Sequence, residues 1–340
     1  MSYYRLRAVN IGAEGGTPGT PVAATTRLRV PATWLNDART VVRANDATGV
    51  FLPTPRTYTP NLYASIPVEG DVTFEQLGYI LNGGIKGVAG VKDGAGSGYV
   101  STYPFPVSGA NTLYYYTLEG VNQQQSFEME YGFVEEFELS WKAPTQGSSD
   151  GAWQFKATWG GRQATKCTAT TLATPTGLET VLSPKLYIDA VTGIGGTVKV
   201  SCFRGFTFRW RRNIPVWTGD GMQYFTRVDL DLNPESPPEL DIVLDWDAVG
   251  EDQYDAWTAS TQKGLRIKSE GSALSAGTVY SKKTLFLDFY GTQVGNPKES
   301  NQNGADLMTY TYQMGEADTS GAGVWSNGQI VLVNALAALP

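Results

Sequence analysis

Apolar and polar residues alternate along Ser126–Lys142 (SFEMEYGFVEEFELSWK), a run of 17 positions. Phe127, Met129, Tyr131, Phe133, Phe137, Leu139 and Trp141 fall on one face, with Glu135 the lone charge among them. Glu128, Glu130, Glu136 and Glu138 fall on the other. A period of two predicts a β-strand, and one this long extends roughly 55 Å at ~3.3 Å per residue, where ordinary strands have about 5–6 residues. A second long strand is predicted over Thr197–Ile214. It carries Val198, Val200, Cys202, Phe206, Phe208 and Trp210 on one face, and Lys199, Arg209 and Arg211 on the other. An acidic outer face on one strand and a basic one on the other suit a chain that pairs with copies of itself.

The pattern changes period twice. SIPVEGDVTFEQLGYILNGGI predicts a strand and then a short helix, capped by Asp71 or Thr73, with Phe74, Leu77, Leu81 and Ile85 on its apolar side and Gly83–Gly84 as its stop. ELDIVLDWDAVGEDQYDAWTASTQKG predicts the same succession, with Asp247 as cap, Glu251 and Asp252 in the first turn and Lys263–Gly264 at the close. The helices lie about 175–180 residues apart, close to half the chain. Each is followed by a Gly/Ser-rich stretch and then an aromatic strand (TLYYYTLEG; KTLFLDFYG). This predicts two similar units, 1–170 and 171–340, joined by the Pro/Thr-rich stretch 169–184. The expected class is mainly β: two tandem β-barrel or sandwich domains, each with one flanking α-helix.

Composition narrows the chemistry. The 340 residues contain no histidine, which removes the commonest general base and metal ligand and makes a Ser-His-Asp triad impossible. The net charge of −7 is laid out in blocks: seven arginines against three acids in 1–60, and seven basic against 16 acidic residues in 221–340. An acidic total argues against gripping nucleic acid through its phosphates. Cys167 and Cys202 form no CxxC, and Cys202 reads as a small core residue. No stretch has the length of a membrane span or the apolar core of a signal peptide, so the expectation is a soluble, unprocessed chain made in a reducing compartment.

Site motifs are sparse. Asp229, Asp231, Asn233 and Glu235 alternate as a calcium loop would begin, but Pro234 stands where that loop needs glycine and Leu240 where it needs glutamate. GAGSG (94–98) and GIGG (193–196) lack the residues of a phosphate or dinucleotide loop. No cofactor or metal is predicted. Trp141, Trp153, Trp159, Trp210, Trp217, Trp246 and Trp257 keep two rivals open: a carbohydrate-binding β-sandwich, and a glycosidase built on two carboxylates.

Several segments taken together resemble the tail tube proteins (major tail proteins) of long-tailed bacteriophages. They are TYTPNLYASIPVEGDVTFEQLGYILNGGIKG, LYYYTLEG, YGFVEEFELSWKAPTQGSSDGAWQFKATWGG and PKLYIDAVTGIGGTVKVSCFRGFTFRWRRNI, covering most of residues 55–250. The resemblance lies in strand types and turns and not in an invariant motif. It implies a non-enzymatic virion protein, assembled in the host cytoplasm, whose β-domains join edge to edge into rings that stack as a hollow conduit for the genome. Many members of that family have one tube domain and six-membered rings; two domains here would imply three chains per ring with six-fold pseudo-symmetry. Implied partners are other copies of itself, a tape measure protein, and tail terminator and baseplate proteins, with phage DNA passing through unbound. Another tail component, such as a terminator or decoration protein, is the alternative within the virion.

On that reading Glu128, Glu130, Glu136 and Glu138 line the lumen or meet a neighbouring subunit, and Lys199, Arg209 and Arg211 are subunit contacts. The Gly/Pro-rich segment before Pro31 is expected to be a mobile arm that carries Arg5, Arg7, Arg27 and Arg29 onto the next ring.

Overall fold

The computed structural model describes residues 6–15, 17–31, 33–44, 49–50, 56–145, 148, 150–210, 213–219, 222–230, 237–302, 304–321, 323 and 325–339. From the N-terminus come β1 (Ala8–Ala13), β2 (Thr26–Leu28), β3 (Asn36–Asp37), the hairpin of β4 (Thr40–Arg43) and β5 (Thr57–Asn61), and β6 (Ala64–Asp71). β6 leads into α1 (Leu77–Gly84). Then follow β7 (Val91–Lys92), β8 (Tyr99–Pro104), β9 (Tyr116–Val121), β10 (Ser126–Lys142), β11 (Gln154–Gly161) and β12 (Thr165–Cys167). The second half opens with β13 (Lys185–Asp189), β14 (Val198–Lys199) and β15 (Phe203–Trp210). The hairpin of β16 (Asn213–Val216) and β17 (Arg227–Leu230) precedes β18 (Glu239–Asp245) and α2 (Ala248–Thr258). The chain closes with β19 (Lys263–Ala273), β20 (Lys282–Gln293), β21 (Lys298–Gln302), β22 (Ala305–Met314), β23 (Ala317–Asp318), β24 (Trp325–Ser326) and β25 (Gly328–Asn334). The molecule is mainly β, and neither helix is long and apolar enough to cross a membrane.

All ladders among the described residues are antiparallel. One sheet runs β3-β6-β11-β10-β15-β18-β22-β21. Its order repeats: β3-β6-β11-β10 is followed by β15-β18-β22-β21, with the members in the same chain order each time. In each set the first strand enters a two-stranded hairpin and the second enters a helix. Ala64 and Glu239, which start the two helix-leading strands, are 175 positions apart. A second layer runs β13-β19-β20-β25-β8. The layers meet where Gly291–Gln293 of β20 pairs with Tyr312–Met314 of β22.

The two halves are hydrogen-bonded to each other at β10–β15 and β8–β25, and one apolar core spans both. Many of its members are sheet side chains of period two, among them Phe137, Leu139, Trp159, Phe206, Phe208, Trp210, Leu240, Ile242, Tyr310 and Tyr312, and Trp153 joins them just before β11. Fully burying such side chains contributes about 1.5–3 kcal/mol each. The stretch predicted as a linker is fastened across this core, because Val181 is fully buried and exchanges backbone bonds with Val72 and Trp153.

β10 spans the 17 residues its pattern predicts, but it does not alternate throughout. Its register jumps against β9 between Met129 and Gly132, and against β11 between Val134 and Glu136. Each bulge reverses the faces. Val134 therefore joins the main core, while Tyr131 and Phe133 pack in a separate cluster with Leu113 and Phe225. Tyr131 takes φ +57° at the first bulge, where its N–H is held by Glu14 Oε1 at 2.8 Å and the Arg162 guanidinium lies 4.6 Å from its ring. The single strand predicted over Thr197–Ile214 is three strands. Ser201 at φ +66° breaks it, leaving Val200 74% exposed and Cys202 fully buried.

Asp247 caps α2 as predicted, accepting from the N–H groups of Val249 and Gly250. α1 differs. It starts at Leu77, later than the pattern predicts, with Gln76 at its cap and no side-chain cap bond. Gly83 and Gly84 belong to its last turn and serve packing: a Cβ would stand 3.0 Å from Trp159 on the first and 3.3 Å from Phe137 on the second. The N-terminal segment is not a free arm over its described length. β1 pairs with β2 and β9, and Val9 and Ile11 are buried.

Candidate functional site

Period two gives the eight-strand sheet one apolar and one polar face. The apolar face meets the core, both helices and the second layer. On the other face the registers set out a row across six strands: Glu69, Lys156, Glu138, Arg209, Glu239 and Gln313. Opposite charges directly across neighbouring strands contribute roughly 0.2–1 kcal/mol each. Arg209 is the centre of this row, with Nη1 2.7 Å from Asp241 Oδ2, Nε 3.5 Å from Glu138 Oε2 and Nη1 4.0 Å from Glu239 Oε2. Arg204 pairs with Asp245 at 2.7 Å on the same face. Apart from glycines, the polar-face positions of β6, β11, β15, β18 and the C-terminal part of β10 are exposed or half-buried. Glu69, Asp71, Glu136, Glu138, Glu239, Asp241 and Asp245 face Lys142, Lys156, Arg204 and Arg209, so this surface is net acidic.

The sheet has two open ends. β3 covers only Ala64 and Ser65 of β6, and Pro67, which has no N–H to offer a ladder, stands beyond it. At the other end β21 pairs with β22 and with no further strand among the described residues. Both edges present backbone groups that a further strand could use.

The four glutamates of β10 part company at the bulges. Glu136 and Glu138 lie on the polar face, with Glu136 exposed. Glu130 is buried, accepts from Gln163 Nε2 at 3.2 Å, and has its carboxyl pushed up by burial. Glu128 stands opposite Glu119 in the β9–β10 ladder, and burial and then that neighbour push its carboxyl up. Glu119 is committed to structure: its carboxylate takes the Thr170 N–H and hydroxyl at 2.9 and 2.6 Å and Asn10 Nδ2 at 3.1 Å. Cys167 nearby is raised to about 11 by burial and these two carboxylates.

Of the predicted cationic contacts, Arg209 meets Glu138 within one chain. Lys199 sits in β14, paired with β13 of the second layer. Arg211 and Arg5 lie outside the described residues. Arg7 lies 5.0 Å from the Trp34 ring, Arg27 donates to Asn10 Oδ1 at 3.3 Å, and Arg29 is exposed beside α1. Asp229 of the calcium-like run pairs with Arg227 at 3.0 Å, and Asp231, Asn233 and Glu235 are not described. No cluster able to hold a metal occurs among the described residues. Trp141, Trp153, Trp159 and Trp210 are core residues and offer no sugar platform, whereas Trp217 and Trp246 are 38% and 47% exposed.

Sequence reasoning missed the charge row, because it depends on which strands become neighbours. It also missed Asn213, whose amide donates to Gly84 O at 2.9 Å and Val134 O at 2.7 Å, joining the second half to the end of α1. Comparison with known proteins finds no matching family model, and no curated protein matches the chain.

Proposed function

We propose that this chain is a structural subunit that closes into rings and stacks into a hollow tube, the tail tube of a long-tailed bacteriophage. The observation that carries the reading is the repeated strand order. β10 at the end of the first set pairs with β15 at the start of the second. β21 and β3 are the corresponding open ends, so the same junction can be made between one chain and the next. A heterologous contact of this kind closes into a ring. Two tandem tube domains per chain then give three chains and six pseudo-equivalent units per ring.

The polar face supports the same reading. In such a ring it forms the wall of the channel, and an acidic wall repels a DNA duplex and leaves it free to slide. Glu136 and Glu138 belong to that wall. The tape measure, terminator and baseplate proteins of a tail are the partners this role calls for, and the virion is its location.

Negative-stain microscopy and native mass spectrometry of the purified protein test the proposal. Hollow tubes of uniform width, built from rings of three chains, are expected. A protein that stays monomeric at every concentration and salt overturns it; rings of six chains would spare the tube and remove the two-domain argument.

A further inference from the structure

The repeat treats its two helices unequally. All eight residues of α1 are buried, whereas α2 buries only Gly250, Gln253 and Ala256. Its outer side carries Tyr254, 38% exposed, with Trp257 at 5.2 Å between ring centroids and Trp246, just ahead of the Asp247 cap and 47% exposed, at 6.0 Å. Glu251, Asp252 and Asp255 are exposed around them. An aromatic surface ringed by acids at this position suits an arginine-bearing partner.

α1 shows what such a helix receives. Its last carbonyl, Gly84 O, accepts from Trp210 Nε1 at 3.0 Å and Asn213 Nδ2 at 2.9 Å. Both donors belong to the end of β15 and the entry of the β16–β17 hairpin, the strand that begins the second set. The equivalent segment of the first set runs from Trp34 through β3 into β4. It lies at an open end of the sheet, and among the described residues β3 packs chiefly on β6 and β4 on β5, with neither helix. It carries Trp34, 44% exposed, Val41, 61% exposed, and the exposed Arg39 and Arg43. The β4–β5 hairpin it enters forms its own two-stranded sheet, an arrangement that is marginal in isolation.

We infer that the outer face of α2 is the docking surface for the Trp34–Arg43 segment of a second copy of this chain, which covers α2 as the β15–β16 segment covers α1. Aromatic side chains meet on both sides, and arginines face carboxylates. This rests on the ring reading and specifies where the ring contact lies off the sheet edge.

The test uses the full-length chain and two charge reversals. Asp255→Arg places a cation in the last turns of α2, where the helix dipole favours it, so the fold is retained. Asp255→Arg alone and Arg43→Glu alone are each expected to raise the protein concentration needed for ring formation by roughly tenfold, most strongly at low salt. The double variant is expected to return toward the wild-type threshold. In a separate pair, Trp34→Cys with Tyr254→Cys is expected to give oxidised covalent chains that end at three, with neither single variant doing so. Wild-type rings whose threshold is unmoved by either reversal, and which yield no such cross-link, overturn this inference and leave the tube standing. A wild-type chain that forms no rings overturns the tube and this contact together.

Discussion

Asn213 is a polar side chain that is 3% exposed, and it joins three segments distant in the chain. Asn213→Ala leaves Gly84 O with only the Trp210 indole and Val134 O without its amide partner. A buried carbonyl deprived of its donor costs about 1–3 kcal/mol, so urea unfolding is expected to show a loss of about 2 kcal/mol. An unchanged midpoint would mean that water replaces the amide. Glu130 acts in the opposite sense. Its carboxyl is raised on folding by burial, so its contribution is favourable below the unfolded value and is lost as pH rises through the folded one. Glu130→Gln is therefore expected to raise the melting temperature at about pH 7.5, with the gain shrinking toward about pH 4. In Glu179 burial opposes ionisation, but Ser272 and Lys283 outweigh it and hold the carboxyl low. Its stabilisation is present above the unfolded value and is lost as pH falls through the folded one. A melting profile for the Gln variant parallel to wild type across the range would remove the Glu130 argument.

Among the elements, β10 was the most legible and the most altered by its surroundings. Its length and strand character follow from composition and period, because long aromatic and acidic alternation has no other low-energy arrangement. Its bulges do not, since Tyr131 and Glu135 leave the ladder only where β10 passes from β9 to β11. The charge row gives a test at this scale. Arg209→Glu sets a fourth carboxylate among Glu138, Glu239 and Asp241, and is expected to cost about 1–2 kcal/mol, less in high salt. Adding Glu138→Arg should recover part of the loss. Equal stability of single and double variants at low salt would mean the row is only a solvated surface. Glu136→Gln, at an exposed position on the polar face proposed to line the channel, is expected to leave folding and tube length unchanged while slowing DNA passage in an infected culture.

The whole molecule joins what its sequence divides into two. β10–β15, β8–β25, the Trp210 and Asn213 bonds to Gly84, and the burial of Val181 all cross the boundary near residue 170. One cooperative thermal transition is expected from the full chain. Residues 1–170 expressed alone should bind a hydrophobic dye and lack a sharp transition, because Phe137 and Leu139 of β10 lose their β15 neighbours. Two separable transitions, or a compact half-chain, would mean that the halves fold first and dock later.

The mainly β character, the 17-residue strand, the Asp247 cap and the two strand–helix successions were legible from local pattern, because period, capping chemistry and turn residues act over a few positions. The division of the four glutamates was not. Glu130 turns inward at a bulge, Glu128 meets Glu119, and Glu136 and Glu138 reach the polar face, as set by partners tens of residues away. The need for Gly83 and Gly84 likewise comes from Trp159 and Phe137 pressing on the end of α1. Local sequence determined which segments are strands and helices; the close packing of distant segments decided which faces they show, which charges meet and which edges stay open.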